Sequence, residues 1–262
     1  MIHYHGGPIT PETCAYRTWR GRHAFVSFAH SYQIEFAAGI CQSFALDNGA
    51  FTFWKQDKEP DWYGYYEWCD EWLDHPGCDW AVIPDVIDGS ETENDALLHE
   101  WPFEQRGVPV WHLNESIDRL LRLAYTWPRV ALGSTSEWDV SKPSACVERL
   151  NQVLPAICRN GRPITKLHGL RMLRPEIITK IPLASGDSTN VARNIGIDKR
   201  WERAAYMPAT KETRAQVLVE RMEQHDTPSR LVVPVHETNP ASVLPEIKGQ
   251  ISLLDLLETE TA

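Results

Sequence analysis

Short apolar runs alternate with longer polar or amphipathic stretches along most of the chain. The runs are IHYH (2–5), AFVSFA (24–29), SFALD (43–47), WAVIPD (80–85), VPVWHL (108–113), RVALGS (129–134), TKLHGL (165–170) and PLASGD (182–187). Each is short, continuous and bounded by turn-forming residues, which predicts strands buried on both faces. The segments between them read as helices, among them DWYGYYEWCDEWLDH, SETENDALLHEW, ESIDRLLRLAYTW, SACVERLNQVLPAICRN and RPEIITKI. Ser90 and Ser116 stand where N-caps belong, and Glu91 and Glu93 fall near the positive end of the helix that Ser90 opens. The aromatic residues of WYGYYEWCDEWL are expected to pack their helix onto the sheet.

Strand–helix alternation indicates parallel βαβ units, and eight of them predict an α/β fold, a single (β/α)8 TIM-like barrel with a C-terminal helical extension. A doubly wound open sheet is the alternative, and VVPV (232–235) competes as a late strand. No linker divides the chain. Residues 1–262 therefore read as one barrel domain, with about 198–262 as the extension. Within it a helix is expected around 198–224, and GQISLLDLLETE forms a short amphipathic segment.

Composition narrows the class. A chain of 262 residues and 29.9 kDa, 42% hydrophobic and 24% charged, matches an ordinary globular protein. MIHYHGGPIT lacks the pattern of a signal peptide, and no apolar run reaches membrane-spanning length, so a cytoplasmic location is expected. Six scattered cysteines form no CxxC pair, which argues for reduced thiols and against a zinc knuckle. The net charge of −10 argues against coating nucleic acid through the overall field. The charge is uneven, however. Acids dominate from Asp47 to Glu104, and Arg or Lys dominates from Arg159 to Arg203, where either a solvated helix surface or a face for a polyanion fits.

The carboxyl ends of the predicted strands deliver His5, His30, Asp47 with Asn48, Asp85, His112, Gly133 with Ser134, His168, and Asp187 with Ser188. In a barrel these ends face one mouth, where ligands bind. Paired carboxylates suit glycosyl transfer, one attacking an anomeric carbon while another moves protons. Aspartates combined with His5, His112 and His168 suit a metal-dependent hydrolase instead. A catalytically silent barrel that binds a nucleotide or a protein partner is the third reading.

The order of these elements resembles the tRNA-guanine transglycosylase superfamily, and more closely its compact relatives linked to 7-deazaguanine modification of DNA. DNGAF (47–51) is similar to the family's DSGGFQ-type turn, and IPDVID to its next acidic strand end. VPVWHLNES, ALGS, KLHGL and ASGDST follow in the family's order. The resemblance implies Asp187 as the nucleophile and Asp47 as the general acid/base. It implies Asp85 on the polar edge of the base and Phe51 stacked on it, with Asn48, His112, Gly133, Ser134, His168 and Arg193 completing the substrate site. Guanine in DNA, less readily in RNA, would be exchanged for a 7-deazaguanine base without a cofactor or catalytic metal, and a partner subunit would help to engage the nucleic acid. The tRNA enzymes carry a Cys-rich zinc site near the C-terminus, whereas this chain has no cysteine after Cys158. The resemblance thus attaches to the catalytic residues and points away from tRNA.

Overall fold

The computed structural model describes residues 1–196, 201 and 208–232. All eight predicted strands form. In chain order they are β1 (Ile2–Gly6), β2 (His23–Ser27), β3 (Ser43–Asp47), β4 (Cys78–Val82), the pair β5 (Gly107–Val108) and β6 (Val110–His112), and β7 (Arg129–Gly133). A small antiparallel hairpin, β8 (Cys158–Arg159) and β9 (Arg162–Pro163), precedes β10 (Lys166–Gly169) and β11 (Ser185–Ser188).

The main sheet is parallel throughout and runs β5-β4-β3-β2-β1-β11-β10-β7-β6. Its two edges, β5 and β6, are separated only by Pro109 and are halves of one strand. Proline has no N–H to donate, so it interrupts the ladder without turning the chain. Its carbonyl accepts from Ala131 N–H at 2.9 Å, while Val108 O accepts from Ile83 N–H at 3.0 Å. The strand from 107 to 112 therefore pairs with β4 through its first half and with β7 through its second. The sheet closes on itself as a barrel, and the open-sheet alternative does not apply.

Strand alternation sorts the core into two compartments. Tyr4, Phe25, Ala45, Trp80, Val82, Val108, Val110 and Ala131 fill the barrel interior. Their neighbours, such as Val26, Phe44, Leu46, Ala81, Val130 and Leu132, face the helices in a larger outer core. The helices are α1 (Glu12–Trp19), α2 (Ile34–Ile40), α3 (Ala50–Lys55), α4 (Trp62–Leu73), α5 (Glu91–Glu100), α6 (Ile117–Thr126), α7 (Pro143–Val153), α8 (Pro175–Ile178), α9 (Asn190–Asn194) and α10 (Lys211–Glu223). Ser90 closes a full capping box with Glu93 at the start of α5, and Ser116 Oγ accepts from Arg119 N–H at the start of α6. Tyr65 and Trp68 of α4 are buried in the outer core, as the aromatic pattern implies.

Several boundaries differ from the sequence reading: β2 ends at Ser27, which leaves His30 on a short 3-10 turn, and α7 ends at Val153. β4 ends at Val82 rather than Asp85, because Pro84 cannot continue the ladder, so Asp85 sits on a loop. The last barrel strand starts at Ser185, after a turn in which Leu183 N–H bonds Ile181 O. Of the expected extension, α10 is present and packs on α1. VVPV beyond Val232 and GQISLLDLLETE lie outside the described residues. All six cysteines are free, and no described helix is long and apolar enough to cross a membrane.

Candidate active site at the carboxyl face of the barrel

A cavity of about 460 Å³ opens at the carboxyl ends of the strands. It is lined by Asp47, Asn48, Phe51, Asp85, His112, Gly133, Ser134, Asp187 and Arg193, so nine of the ten residues singled out above meet in one place. Among enzymes on this fold, active sites sit on this face. Asp47, His112, Gly133 and Asp187 end their strands pointing inward, two residues beyond Ala45, Val110, Ala131 and Ser185.

Asp187 is buried on the cavity wall. Its Oδ1 accepts the backbone N–H of Arg171 at 2.7 Å and faces His168 Nε2 at 3.4 Å. Among the described contacts Oδ2 has no partner, which leaves it presented to the cavity. Arg171 holds its N–H there from the left-handed region (φ 61°), a conformation that costs a non-glycine residue on the order of 1 kcal/mol. Its guanidinium lies 4.0 Å from the Phe51 ring centroid. One face of Phe51 is therefore already stacked, and a base must use the other face or displace the arginine.

Of the ten residues that the resemblance implies, His168 does not line the cavity. It is fully buried beneath Asp187, where its ring meets Trp80 at 4.8 Å between centroids. Arg129 Nη1 donates to Ser185 Oγ at 2.7 Å, and Ser185 Oγ lies 2.9 Å from His168 Nδ1. Arginine only donates, so the serine proton is left for Nδ1, and the ring carries its own proton on Nε2, toward Asp187. Burial lowers the His168 pKa more than Asp187 raises it, which keeps the ring neutral. His168 thus lies directly beneath the nucleophile candidate, its Nε2 at 3.4 Å from Oδ1 and without a hydrogen bond of good geometry.

Asp47 ends β3 opposite Ser27. Its pKa is pushed up to about 7, first by burial and then by the charges of Asp187 and Asp85, against the pull of Ser27. A carboxyl group poised there both gives and takes a proton near neutrality.

Asp85 is held from two sides. Asn48 Nδ2 donates to its Oδ1 at 2.7 Å and to Ile83 O at 2.9 Å, while His112 Nε2 lies 3.0 Å from Oδ2. Asn48 Oδ1 accepts Ala50 N–H, so the amide is largely committed to shaping the turn. That turn needs Gly49 at φ 78°, where an added Cβ would lie 3.1 Å from Ala29 N. Asn48 is therefore a positioning residue for Asp85 more than a substrate contact. Each Asp85 oxygen keeps a second lone pair for a ligand donor.

His112 is buried, which lowers its pKa, but the bond and charge of Asp85 outweigh that and leave it raised. Behind it, Glu115 accepts the His112 backbone N–H at 2.9 Å and Arg119 Nη1 at 2.6 Å. Arg119 reaches Asp95 at 2.8 Å. Arg171, Ser185, Arg129 and the Glu115–Arg119 pair all escape the sequence reading. Arg171 acts through a loop, Ser185 and Arg129 through the barrel interior, and Arg119 from α6, places that no local pattern marks. His5, expected at the mouth, points outward instead and meets Glu223 at 3.0 Å. The three histidines of the hydrolase reading therefore do not converge, and no cluster of three metal-ligating side chains occurs among the described residues.

No protein-family model matches the chain, and no curated protein matches it significantly. Among solved structures it is similar to one described as a fructose-1,6-biphosphate aldolase from Coccidioides immitis. The identity is 13% and the TM-score 0.48, over 85% of this chain and 88% of that one. Nothing about activity transfers at that level of likeness.

Proposed function

We propose that the cavity exchanges a nucleobase through a covalent glycosyl-aspartate. The observation that carries this reading is the contrast between two carboxylates in one cavity. Asp187 presents a free oxygen, and Asp47 has a pKa near 7. That division of labour is what retaining glycosyl transfer requires.

In the first step Asp187 Oδ2 attacks C1′, the C1′–N9 bond breaks, its electrons pass to the departing base, and Asp47 donates the proton that neutralises it. The incoming base then loses its ring proton to Asp47, and its nitrogen attacks C1′, releasing Asp187. Two inversions restore the original configuration, and Asp47 ends in its starting state. Asp85, braced by Asn48 and His112, accepts the N–H donors on the polar edge of the ring. Phe51 supplies an apolar face.

The substrates, guanine in DNA and an incoming 7-deazaguanine, come from the family resemblance of the strand-end motifs. Wild-type protein is expected to incorporate labelled guanine or a 7-deazaguanine into a guanine-containing oligonucleotide, and Asp187→Asn to lose at least about 10³-fold of that rate while remaining folded. Undiminished exchange by a folded Asp187→Asn protein rules out the assigned nucleophile.

A further inference from the structure

A second groove, of about 650 Å³, adjoins the acidic cavity and shares Arg171, Thr189 and Arg193 with it. Four guanidinium groups line it, those of Arg171, Arg174, Arg193 and Arg221, against the carboxylates of Asp139 and Glu176. They arrive from separate places: the loop after β10, α9 and α10. Three of them, Arg171, Arg174 and Arg193, come from the basic stretch between Arg159 and Arg203.

Four arginines outside the groove find carboxylates, Arg22 with Glu223, Arg106 with Asp74, and Arg119 and Arg122 with Asp95, while Arg129 and Arg149 donate to a hydroxyl and to backbone carbonyls. None of the four groove arginines forms such an ion pair among the described residues. Arg171 and Arg221 lie over aromatic rings instead, 4.0 Å from Phe51 and 5.4 Å from Trp201. Gathering four cations on one groove with only two carboxylates, Asp139 and Glu176, to offset them is unfavourable in a free protein, and an anion that bridges them reverses the sign. The planar fork of arginine suits phosphate oxygens, which it binds in pairs.

We propose that this groove binds the phosphate groups of a nucleotide substrate, next to the sugar that Asp187 would attack. The inference rests on the glycosyl-transfer reading for its orientation. The groove, of about 650 Å³, has room for more than a single phosphate, which suits successive phosphodiesters of a strand. A lone mononucleotide phosphate would present the same chemistry, and the experiment separates the two. The groove also reconciles a net charge of −10 with a polyanionic substrate, because attraction is needed only beside the cavity.

The test is fluorescence anisotropy with a labelled single-stranded DNA oligonucleotide over a range of salt concentrations. The wild type is compared with an Arg174→Gln/Arg221→Gln double variant, whose two sites are exposed and line only this groove. The double variant is expected to bind at least tenfold more weakly at low salt. Its plot of log affinity against log salt should flatten by about 1.4, at about 0.7 for each single-strand phosphate that is no longer neutralised. Displacement by dGMP at the same phosphate concentration as unlabelled oligonucleotide would assign the site to a mononucleotide. Displacement by the oligonucleotide alone would assign it to a strand. Equal affinity and slope in the two proteins, or equal displacement by poly-glutamate, overturns the proposal. Asp187→Asn is expected to retain the arginine-dependent binding whatever becomes of exchange, so the phosphate groove and the nucleophile fail separately.

Discussion

Asp47 is costly to the fold because it is useful to the cavity. Burial and two neighbouring aspartates raise its pKa from 3.8 to about 7, so ionising it is harder in the native protein than in the unfolded chain. As pH rises from about 4 to about 7 the unfolded chain releases this proton while the native protein still holds it, and stability falls over that window. Asp47→Asn, which cannot ionise, should melt at the same temperature as wild type near pH 4 and progressively higher up to pH 7. The gain should reach roughly 1–4 kcal/mol, on the scale of 1.36 kcal/mol per pKa unit. Thermal melts of the two proteins across that range check it, and a difference that does not vary with pH contradicts it. Asp47 and Asp187 were legible as strand-end acids, since each closes an apolar run. Arg171 was not, because its contribution is a backbone N–H in a left-handed turn, which no side-chain pattern announces.

Among the strands, β6 and β7 show how neighbours divide the space at the mouth. His112 and Gly133 are register partners, and a Cβ on Gly133 would lie 2.8 Å from His112 Nδ1 and 2.9 Å from Val110 Cγ1. The absent side chain leaves room for the His112 ring, whose Nε2 lies 3.0 Å from Asp85 Oδ2. Gly133→Ala should cost about 1–3 kcal/mol by overpacking. It should also push the His112 ring away from Asp85, raising KM for the base more than it lowers kcat. Urea melts and steady-state exchange kinetics measure both, and an unchanged melting midpoint would mean that the ring has room to move. β3, β6, β7 and β11 were readable as short apolar runs that end in turn-forming residues. The end of β4 was not: Asp85 lies beyond Pro84, and it meets Asn48 and His112 at the carboxyl ends of two other strands.

Across the whole molecule, α10 is tied to the barrel through Glu223, which accepts from Arg22 Nε at 3.0 Å and meets His5 Nε2 at 3.0 Å. Burial works to raise the Glu223 pKa, but the bonds from His5 and Arg22 win and bring it down to about 2. The stability it contributes is complete above about pH 4.5 and is lost as pH falls toward 2. Glu223→Gln should therefore be less stable than wild type at neutral pH, by about 1–2 kcal/mol after allowing for partial exposure, and the gap should close by pH 2. Acid titrations followed by circular dichroism test this, and a gap that persists at pH 2 assigns the effect to packing. The sequence by itself determined the eight strands, their alternation with helices, and Asp47 and Asp187 at strand ends, because burial on two faces and the turn residues that close each run are local properties. Only the tertiary structure decided what those acids are. Barrel closure across Pro109 brings residues far apart in the chain into one cavity, and there low exposure and mutual repulsion separate the protonation of Asp47 from that of a model aspartate. The same closure sets arginines from three elements beside that cavity, a juxtaposition that distance along the chain conceals.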